Sequence, residues 1–475
     1  MNQPVNLGKL QYTRWIEKIQ RDYSTEYASL NWVTEEQALH AMKKRRALLT
    51  ELKNQAVSTC KSTKVDGSNL SPGCKICAQG DWSCLFINGR CNCRCFYCPA
   101  PQDVDIQPTT NTVTFPQPND YLDYIETLGF AGVSLSGGEP FLTFEKTLQF
   151  LQAVQSRFGD SIHTWLYTNG TLATPDKLNQ LKKAGLKEIR FDIGATRMKL
   201  EAAKQAVDII DTVTVEIPAI PEEFETMKQT IREMAAAGIN HLNLHQLRLT
   251  PHNLPHLARR NYTFLHGERA TVLESELTAL QLIHWAYKQE IKLPINYCSF
   301  VYKNRFQRAA ARRKSAAFVK KPHENVTENG YIRLLELEGP PEDVSALVDR
   351  LQQHEKDNAL WALFPRQNRL CLHASLWSLI DFPRFRAFVS YAEAKILDAV
   401  TYRNYFVELP INPSRNLFVE KAHVTEKIQL DTKTAEKLRA FTLSGNAPKT
   451  NNFSHPTWQR LQEFETIQEG LQDYY

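Results

Sequence analysis

Short apolar runs rich in β-branched residues alternate with longer amphipathic stretches through the middle of the chain. The runs lie at 85–87, 132–135, 164–167, 189–193, 213–217, 242–247 and 293–297. The stretches between them, such as Thr174 to Ala184 and Glu222 to Ala237, have the spacing of polar and apolar residues that is typical of helices. Alternating strands and helices build a parallel sheet, and this number of repeats favours a full or partial β/α barrel over an open two-sided sheet.

The pattern changes on both sides of that region. Residues 1–72 predict an N-terminal helical extension that ends in a polar loop, and residues 73–321 predict the barrel. Residues 322–475 predict a smaller α+β domain, in which Gly330 to Leu337 forms a strand, Pro341 to His354 forms a helix and a polar tail ends the chain. The expected fold class is therefore α/β, with a helical extension before the barrel and an α+β domain after it.

The composition is that of a globular protein. The chain has 475 residues, of which 42% are hydrophobic and 23% are charged, so it can bury a large core. No apolar run reaches the length of a membrane span, and Met1 to Pro4 lacks the charged-then-apolar order of a signal peptide. We therefore expect a cytoplasmic protein with no membrane partner. The net charge of +5 is too small at this length to indicate a nucleic-acid binder by itself.

The cysteines are concentrated in one part of the chain. Of the ten cysteines, only Cys298 and Cys371 lie outside the segment from Cys60 to Cys98. Because the cytosol keeps thiols reduced, such a concentration favours metal or iron–sulfur ligation over disulfides. Within the segment, Cys91, Cys95 and Cys98 form a Cys-x3-Cys-x2-Cys frame just after the first predicted strand. Three thiolates can bind three irons of a cubane cluster and leave the fourth open, although a zinc site or reduced structural thiols fit the spacing as well.

Two further features resemble the radical S-adenosylmethionine (SAM) superfamily. Tyr97 directly precedes the last cysteine of the frame, and the second strand ends in Gly-Gly-Glu-Pro. The resemblance covers about residues 80–300, and it implies a 4Fe–4S cluster on Cys91, Cys95 and Cys98 that cleaves SAM reductively. It also implies that the methionyl part of SAM is contacted by Gly137, Gly138, Glu139 and Pro140, with Glu139 accepting from its ammonium group.

Later strand ends supply the remaining expected site residues. Thr168 and Asn169 end the third strand and resemble the Thr-Asn-Gly strand end of the superfamily, although Asn169-Gly170 is also an ordinary turn sequence. Asp192 on the fourth strand lies near the position where family members contact SAM. On the strands that follow, Glu216 is expected on the cofactor side. His245 and Cys298 are expected to be catalytic, although a barrel histidine or a buried cysteine is also common as a structural residue.

The remaining cysteines leave a second centre open. Cys74, Cys77 and Cys84, with Cys60 or Cys93 as a fourth ligand, have spacings that suit an auxiliary iron–sulfur cluster or a zinc ion, or else packed reduced thiols. Three segments also resemble a poorly characterised branch of the superfamily that is related to the pyruvate formate-lyase activating enzymes. They are the segments at 73–77, 243–247 and 297–299.

The resemblance implies a radical mechanism with two partners. A reduced flavodoxin-like or ferredoxin-like protein supplies an electron, and the 5′-deoxyadenosyl radical formed from SAM takes hydrogen from a small-molecule or peptide substrate. One alternative is an RNA substrate bound by the basic segment from Tyr302 to Lys321, which a solvated cationic helix explains equally well. The other alternative is a non-catalytic zinc or iron–sulfur binding protein. The sequence does not identify the substrate.

Overall fold

A computed structural model describes residues 7–53, 56–67, 69–354, 358–444 and 456–475. The described chain divides into two compact units. The first, here called the barrel unit, comprises residues 8–307 and 469–475. The second, the C-terminal unit, comprises residues 308–468, and Leu7 is grouped with it. The domain boundaries that the sequence predicts, after residues 72 and 321, stay predictions.

The barrel unit is built on a parallel sheet whose strands add in sequence order. The described strands of this unit are β1 (Lys64–Val65), β2 (Trp82–Arg90), β3 (Asp103–Val104), β4 (Thr109–Thr110), β5 (Val113–Thr114), β6 (Gly132–Gly137), β7 (His163–Thr168), β8 (Glu188–Phe191), β9 (Thr212–Pro218), β10 (His241–His245), β11 (Phe264–Leu265), β12 (Thr271–Val272) and β13 (Ile295–Cys298). Strands β2, β6, β7, β8, β9, β10 and β13 are parallel neighbours in that order. At the two ends of this order, β1 joins β13 and β4 joins β2, both antiparallel. The sheet is therefore a partial barrel.

Helices connect the parallel strands and cover the outer face of the sheet. The described helices of this unit are α1 (Leu7–Asp22), α2 (Glu35–Leu52), α3 (Pro72–Gln79), α4 (Pro118–Leu128), α5 (Phe144–Phe158), α6 (Pro175–Lys183), α7 (Glu201–Val207), α8 (Phe224–Ala236), α9 (Leu254–Leu257), α10 (Leu273–Lys288) and α11 (Phe300–Tyr302). Local sequence sets several starts: Ser71 caps α3 and Thr174 caps α6, and each is followed by a proline in the first turn. A π-helical turn, Lys303–Gln307, follows α11.

The two faces of the parallel strands differ in chemistry. On β8, β9 and β10 one set of alternate residues is apolar and fully buried, including Ile189, Val215 and Leu244. The other set is polar and charged: Glu188 and Arg190 on β8, Thr214 and Glu216 on β9, and Asn243 and His245 on β10. Because side chains alternate between the faces of a strand, one face packs on helices and the other lines the barrel interior.

A buried arginine organises that polar interior. The Arg190 guanidinium, 3% exposed, donates to Glu188 Oε1 at 2.8 Å, to Glu216 Oε2 at 2.7 Å and to the Tyr167 hydroxyl at 3.2 Å. It also reaches Ser71 Oγ, the cap of α3, at 3.3 Å. Although burial opposes it, Arg190 and the other donors around Glu188 lower the pKa of that carboxyl to about 2. Two carboxylates and one guanidinium thus fix three strands and the start of α3.

The N-terminal helices pack on the barrel unit through apolar side chains. Ile19 of α1 and Tyr23, which directly follows that helix, lie in one cluster with Leu247 and Leu257. Ala38 and Ala41 of α2 belong to a second cluster that includes Leu273 and Leu277 of α10. Residues in these clusters are almost fully removed from solvent. The predicted N-terminal helical extension is confirmed, and it forms part of the same compact unit as the barrel.

The C-terminal unit is an antiparallel sheet with helices. Its described strands are β14 (Asn325–Val326), β15 (Ile332–Glu338), β16 (Trp361–Phe364), β17 (Arg369–Leu372), β18 (Arg386–Leu397), β19 (Tyr405–Asn412), β20 (Arg415–His423) and β21 (Ile428–Leu430). Its described helices are α12 (Arg308–Val319), α13 (Pro341–His354), α14 (Thr432–Ser444) and α15 (Pro456–Glu465). Strands β16, β17, β15, β18, β20 and β19 pair in that order. Their apolar side chains and those of the helices form one core around Trp377, Tyr391 and Trp458.

The α/β fold class with a partial barrel and a C-terminal α+β unit is confirmed. The sequence did not predict the long antiparallel strands β18 to β20 of this unit, or the helices α14 and α15 that follow them. Among the described residues, no helix combines the length and apolar character that crossing a lipid bilayer requires.

We predict that Arg190→Met destabilises the fold by about 3–5 kcal/mol, because Glu188 and Glu216 then remain buried without the guanidinium that they share. Thermal and urea unfolding followed by circular dichroism measure the loss. Arg157→Met is the matched control, since the ion pair of Arg157 with Asp123 is partly exposed and removal should cost about 0–1 kcal/mol. Equal losses in the two variants would show that the interior network is not a main source of stability.

We also predict a pH dependence from Glu188. Its pKa of about 2 in the folded chain lies below the value of about 4.3 for an unfolded glutamate, so ionised Glu188 stabilises the fold at neutral pH. This contribution is present above about pH 4.3 and is lost as the pH falls towards 2. Urea unfolding at a series of pH values should show a smaller acid loss in Glu188→Gln than in the wild type. An identical slope in both proteins would contradict the assignment.

Candidate active site

The ends of β2 and β6 approach so closely that no side chain fits between them. A Cβ atom on Gly138 would lie 1.9 Å from the Arg90 carbonyl oxygen, and one on Gly137 would lie 2.3 Å from that of Asn88. Gly137 also has a φ of 136°, which side-chain-bearing residues rarely adopt. The Gly138 amide donates to Asn88 O at 2.9 Å and the Glu139 amide donates to Arg90 O at 2.7 Å. The two glycines therefore hold the Gly-Gly-Glu-Pro segment directly beside the residue that precedes Cys91.

The cysteine frame lies on a loop that β2 and β3 close. Gly89 and Arg90 of β2 pair with Val104 and Asp103 of β3, and the Cys91 amide donates to Gln102 O at 2.9 Å. Within the loop, the Cys98 amide donates to Cys95 O at 3.0 Å. All three thiols of the frame are free and partly exposed. Anchored at both ends, the loop presents its thiols at the carboxyl edge of the sheet.

Glu139 joins the end of β6 to the end of β7. Its buried carboxylate accepts from Thr168 Oγ1 at 2.8 Å, from the Asn169 amide at 2.7 Å and from the Phe141 amide at 3.0 Å. Burial raises the pKa of Glu139, and these three donors oppose that shift. The Asn169 side-chain amide in turn lies 3.7 Å from Cys91 Sγ. Glu139, Thr168 and Asn169 thus form one connected group that reaches the first cysteine of the frame.

Asp192, after the end of β8, binds the cysteine loop near its last cysteine. Its carboxylate accepts from the Tyr97 hydroxyl at 2.7 Å and from the Gly194 amide at 3.1 Å. Burial raises the pKa of Asp192 to about 6, against the effect of these donors. Tyr97, the aromatic residue next to the last cysteine, therefore ties the loop to the end of β8. The ends of β2, β6, β7 and β8 meet around the cysteine frame.

The donor set fits an iron–sulfur cluster. Burial raises the pKa of Cys91, and burial together with the nearby Asp192 raises that of Cys95 to about 12, so a bound cation would have to supply the charge that makes them thiolates. Among the described residues, no three His, Cys, Asp or Glu side chains are grouped to hold a single metal ion. A cubane differs from a single ion because each thiolate binds a separate iron, so the three sulfurs need not converge on one point.

Glu216, His245 and Cys298 lie together on neighbouring strands but within the barrel interior. His245 Nε2 is 2.7 Å from Glu216 Oε1, and the register of β10 and β13 places Cys298 beside His245. Although burial opposes it, Arg190 holds the pKa of Glu216 well below its usual range. Glu216 accepts from Arg190 and from Asn243 as well, so its contacts are those of the interior network. The structure thus brings these three residues together as one group and places Glu139, Thr168, Asn169 and Asp192 in another.

Of the cysteines considered for a second centre, Cys74 and Cys77 lie together, whereas Cys84 and Cys93 have other neighbours. Cys74 and Cys77 lie on α3, where Cys74 Sγ accepts from Asn243 Nδ2 at 3.2 Å. Cys84 lies on β2, where burial raises the pKa of its thiol and Ser134, Glu216 and Arg190 are the neighbouring groups that influence it. Cys93 remains on the loop of the first frame, where its amide donates to Cys91 Sγ at 3.4 Å. Burial, Cys74 and Cys298 raise the pKa of Cys77, so the Cys298 thiol lies near α3.

Sequence reasoning missed three residues that shape the site. Asn88 donates to Glu139 O at 2.9 Å and to Thr143 Oγ1 at 2.7 Å, which fixes the Gly-Gly-Glu-Pro segment from the β2 side. Arg190 and Lys64 lie in the barrel interior with 3% and 1% exposure. Alternation along β8 could have placed Arg190 inside the barrel, whereas the two-residue β1 carries no periodic signal for Lys64.

Comparison with known proteins agrees with this geometry. Residues 85–234 match the profile of the radical SAM superfamily. Over 307 residues the chain is 31% identical to the "Putative glycyl-radical enzyme activating enzyme MJ0021" of Methanocaldococcus jannaschii, an alignment that covers 60% of this chain and 78% of that protein. The cysteine frame and the ends of β6, β7 and β8 all lie inside the profile match.

Two further proteins are less similar to this chain: one aligns over a shorter segment, and the other has a lower sequence identity. A GTP 3′,8-cyclase of Campylobacter jejuni is 29% identical over 129 residues, which is 27% of this chain and 39% of that one. The crystal structure of Streptococcus suis SuiB bound to S-adenosylmethionine aligns with a TM-score of 0.37 at 12% identity, covering 64% of this chain and 68% of that chain. The extent and identity of the alignment with the archaeal relative decide the family: this chain is an enzyme of the radical SAM superfamily.

Proposed function

We propose that this enzyme binds a 4Fe–4S cluster through Cys91, Cys95 and Cys98, uses it to cleave SAM, and acts as an activating enzyme on a protein or peptide. The convergence of four strand ends on the cysteine loop supports the cluster and SAM sites. Glu139 links β6 to β7, and Tyr97 links the loop to Asp192 at the end of β8. The carboxyl ends of parallel strands are where β/α barrels place their chemistry.

The residues of the chain would prepare this site for the cofactors. When bound, the cluster supplies the electron that splits SAM into methionine and a 5′-deoxyadenosyl radical. Cys91, Cys95 and Cys98 would hold it at the rim and leave one iron for SAM. The Asn169 side-chain amide lies 3.7 Å from Cys91 Sγ and would donate to this ligand of the cluster. Glu139 positions Thr168 and Asn169, and its Oε2 accepts one described donor, which leaves a further lone pair for an ammonium group.

The proposed substrate class rests on the archaeal relative. That relative is named as an activating enzyme of a glycyl-radical enzyme, and an activating enzyme acts on a protein. A reduced flavodoxin-like or ferredoxin-like protein would supply the electron. The RNA alternative loses support, because Arg312 is buried in the C-terminal unit and donates to Asn329 O at 2.8 Å and to Asn329 Oδ1 at 2.6 Å. Its charge is therefore used within the fold.

His245 stays a proposed substrate-side residue. Burial and Lys303 would lower the pKa of His245, but Glu216 at 2.7 Å and the Cys298 thiol outweigh them, so the pKa is raised. A histidine held by a carboxylate can give or take a proton near neutral pH. Cys298, at the end of β13, likewise stays a proposed catalytic residue at this point.

We predict that Cys91→Ser, Cys95→Ser and Cys98→Ser each abolish 5′-deoxyadenosine formation, because each removes a thiolate that the cluster requires. The assay is anaerobic reconstitution followed by SAM and dithionite, with the product measured by chromatography. Cys93→Ser is the matched control, since it lies on the same loop outside the frame and should retain activity. A fully active Cys95→Ser protein, or an inactive Cys93→Ser protein with a normal cluster, would count against this assignment.

We predict that Glu139→Gln weakens SAM binding by about 10- to 100-fold, which corresponds to losing about 1.5–3 kcal/mol of charge-assisted hydrogen bonding. The amide group would place a donor against Thr168 or Asn169, both of which already donate to Glu139. Isothermal titration of the reconstituted protein with SAM measures the change. Glu145→Gln, an exposed residue in the first turn of α5, is the control and should bind as the wild type does. An unchanged dissociation constant for Glu139→Gln would refute the positioning role.

A further inference from the structure

Four cysteines from distant parts of the sequence lie around Lys64 in the barrel unit. Cys60 precedes β1, Cys74 and Cys77 lie on α3, and Cys298 ends β13. The thiols of Cys74, Cys77 and Cys298 interact with the Lys64 ammonium, and the Cys60 thiol interacts with Lys64 and with Cys298. β1 pairs antiparallel with β13 so that Lys64 lies opposite Cys298, and the Ser299 hydroxyl donates to Thr63 O at 2.5 Å. Tyr302 lies beside the same thiols, with its hydroxyl 3.6 Å from Cys77 Sγ. The pairing of β1 with β13 thus closes a pocket of thiols around one lysine.

The Lys64 ammonium is the unusual feature of this group. Lys64 is 1% exposed, and its described neighbours include the thiols of Cys298, Cys74 and Cys77 and the Tyr302 ring, whose centroid is 4.6 Å from Nζ. A buried ammonium is very costly unless an anion compensates it. Elsewhere in this interior the compensating anions are carboxylates, as for Arg190. Around Lys64 the groups that can become anions are thiols.

Two of the thiols are also held as acceptors. Asn243 Nδ2 donates to Cys74 Sγ at 3.2 Å, and Gln307 Nε2 donates to Cys77 Sγ at 2.7 Å. Amide donors directed at sulfur favour the thiolate over the thiol. Donors of this kind around cysteine sulfurs are among the features that set the potential of a protein-bound iron–sulfur cluster.

We infer that Cys60, Cys74, Cys77 and Cys298 bind a second iron–sulfur cluster in the barrel interior, with Lys64 as its compensating cation. A cubane with four thiolate ligands carries net negative charge, which compensates the buried ammonium. A disulfide that included Cys298 would be neutral and would remove the thiol opposite Lys64 as a possible anion. A zinc ion needs ligands grouped around one point, and the described residues show no such group.

This assignment changes two expectations. From the sequence, Cys74, Cys77 and Cys84 were expected as ligands of a second centre. In the present assignment Cys60 and Cys298 replace Cys84, because the neighbours of Cys84 are Ser134, Glu216 and Arg190. Cys298 becomes a ligand, which replaces its proposed catalytic role. His245, 2.7 Å from Glu216 and beside Cys298, then lies between the second cluster and the interior network.

The test begins with a protein that cannot hold the first cluster. The Cys91→Ser/Cys95→Ser/Cys98→Ser variant is reconstituted anaerobically with iron and sulfide. It is then analysed for iron, zinc and sulfide and by Mössbauer spectroscopy. We expect it to retain one cluster per chain. Adding Cys74→Ser and Cys298→Ser should remove that cluster, whereas adding Cys84→Ser, the matched interior control, should leave it. Because the readout is metal content without SAM, the result is independent of the function proposed for the first site.

Three outcomes would overturn the inference. They are a triple variant that binds no iron, one that binds zinc in place of iron, and loss of the cluster with Cys84→Ser to the same extent as with Cys74→Ser and Cys298→Ser. Thermal unfolding by circular dichroism confirms that each variant is folded. Lys64→Met keeps all four thiols, so it should retain the cluster and shift its midpoint potential to more negative values, because a nearby cation stabilises the reduced state. An unchanged potential would exclude Lys64 as the compensating cation.

Discussion

The site depends on one close backbone contact, the packing of Gly137 and Gly138 against the end of β2. A side chain at either glycine would collide with the carbonyl oxygen of Asn88 or Arg90. Since Cys91 follows Arg90 directly, this contact sets the distance between the cysteine loop and the Gly-Gly-Glu-Pro segment. Glu139 then carries the same constraint to β7 through Thr168 and Asn169. The absence of side chains at these two glycines is therefore needed for the backbone packing of β6 against β2, whether or not a ligand is bound.

A second constraint lies deeper, where charged groups replace an apolar core. Arg190, Glu188 and Glu216 satisfy one another inside the sheet, and Asn243 and His245 join them through Glu216. Such a network leaves no freedom for its members to rearrange without exposing a buried charge. The network is therefore a rigid part of the interior. Ser71 and Gly73, at the start of α3, hydrogen-bond to it and so fix the helix that carries Cys74 and Cys77.

The sequence predicted those parts of the molecule whose signals are local. The strands of the barrel follow from apolar β-branched runs, and the first cysteine frame follows from three residues on one loop. Contacts between distant segments had no such signal: Lys64 lies in a strand of two residues, and only its pairing with β13 places it beside Cys298. The long strands of the C-terminal unit were missed for another reason. Pro410 interrupts the alternation in β19, and the register of β19 and β20 shifts between Pro410 and Asn412.

The central claim is that Cys91, Cys95 and Cys98 leave one iron open for SAM. Pulsed electron–nuclear double resonance on the reduced enzyme, with SAM carrying a heavy nitrogen isotope in its amino group, tests this most directly. The account predicts a magnetic coupling between that nitrogen and a cluster that is present in the wild type and absent from Cys95→Ser. A reduced cluster that shows no such coupling at saturating SAM would contradict it.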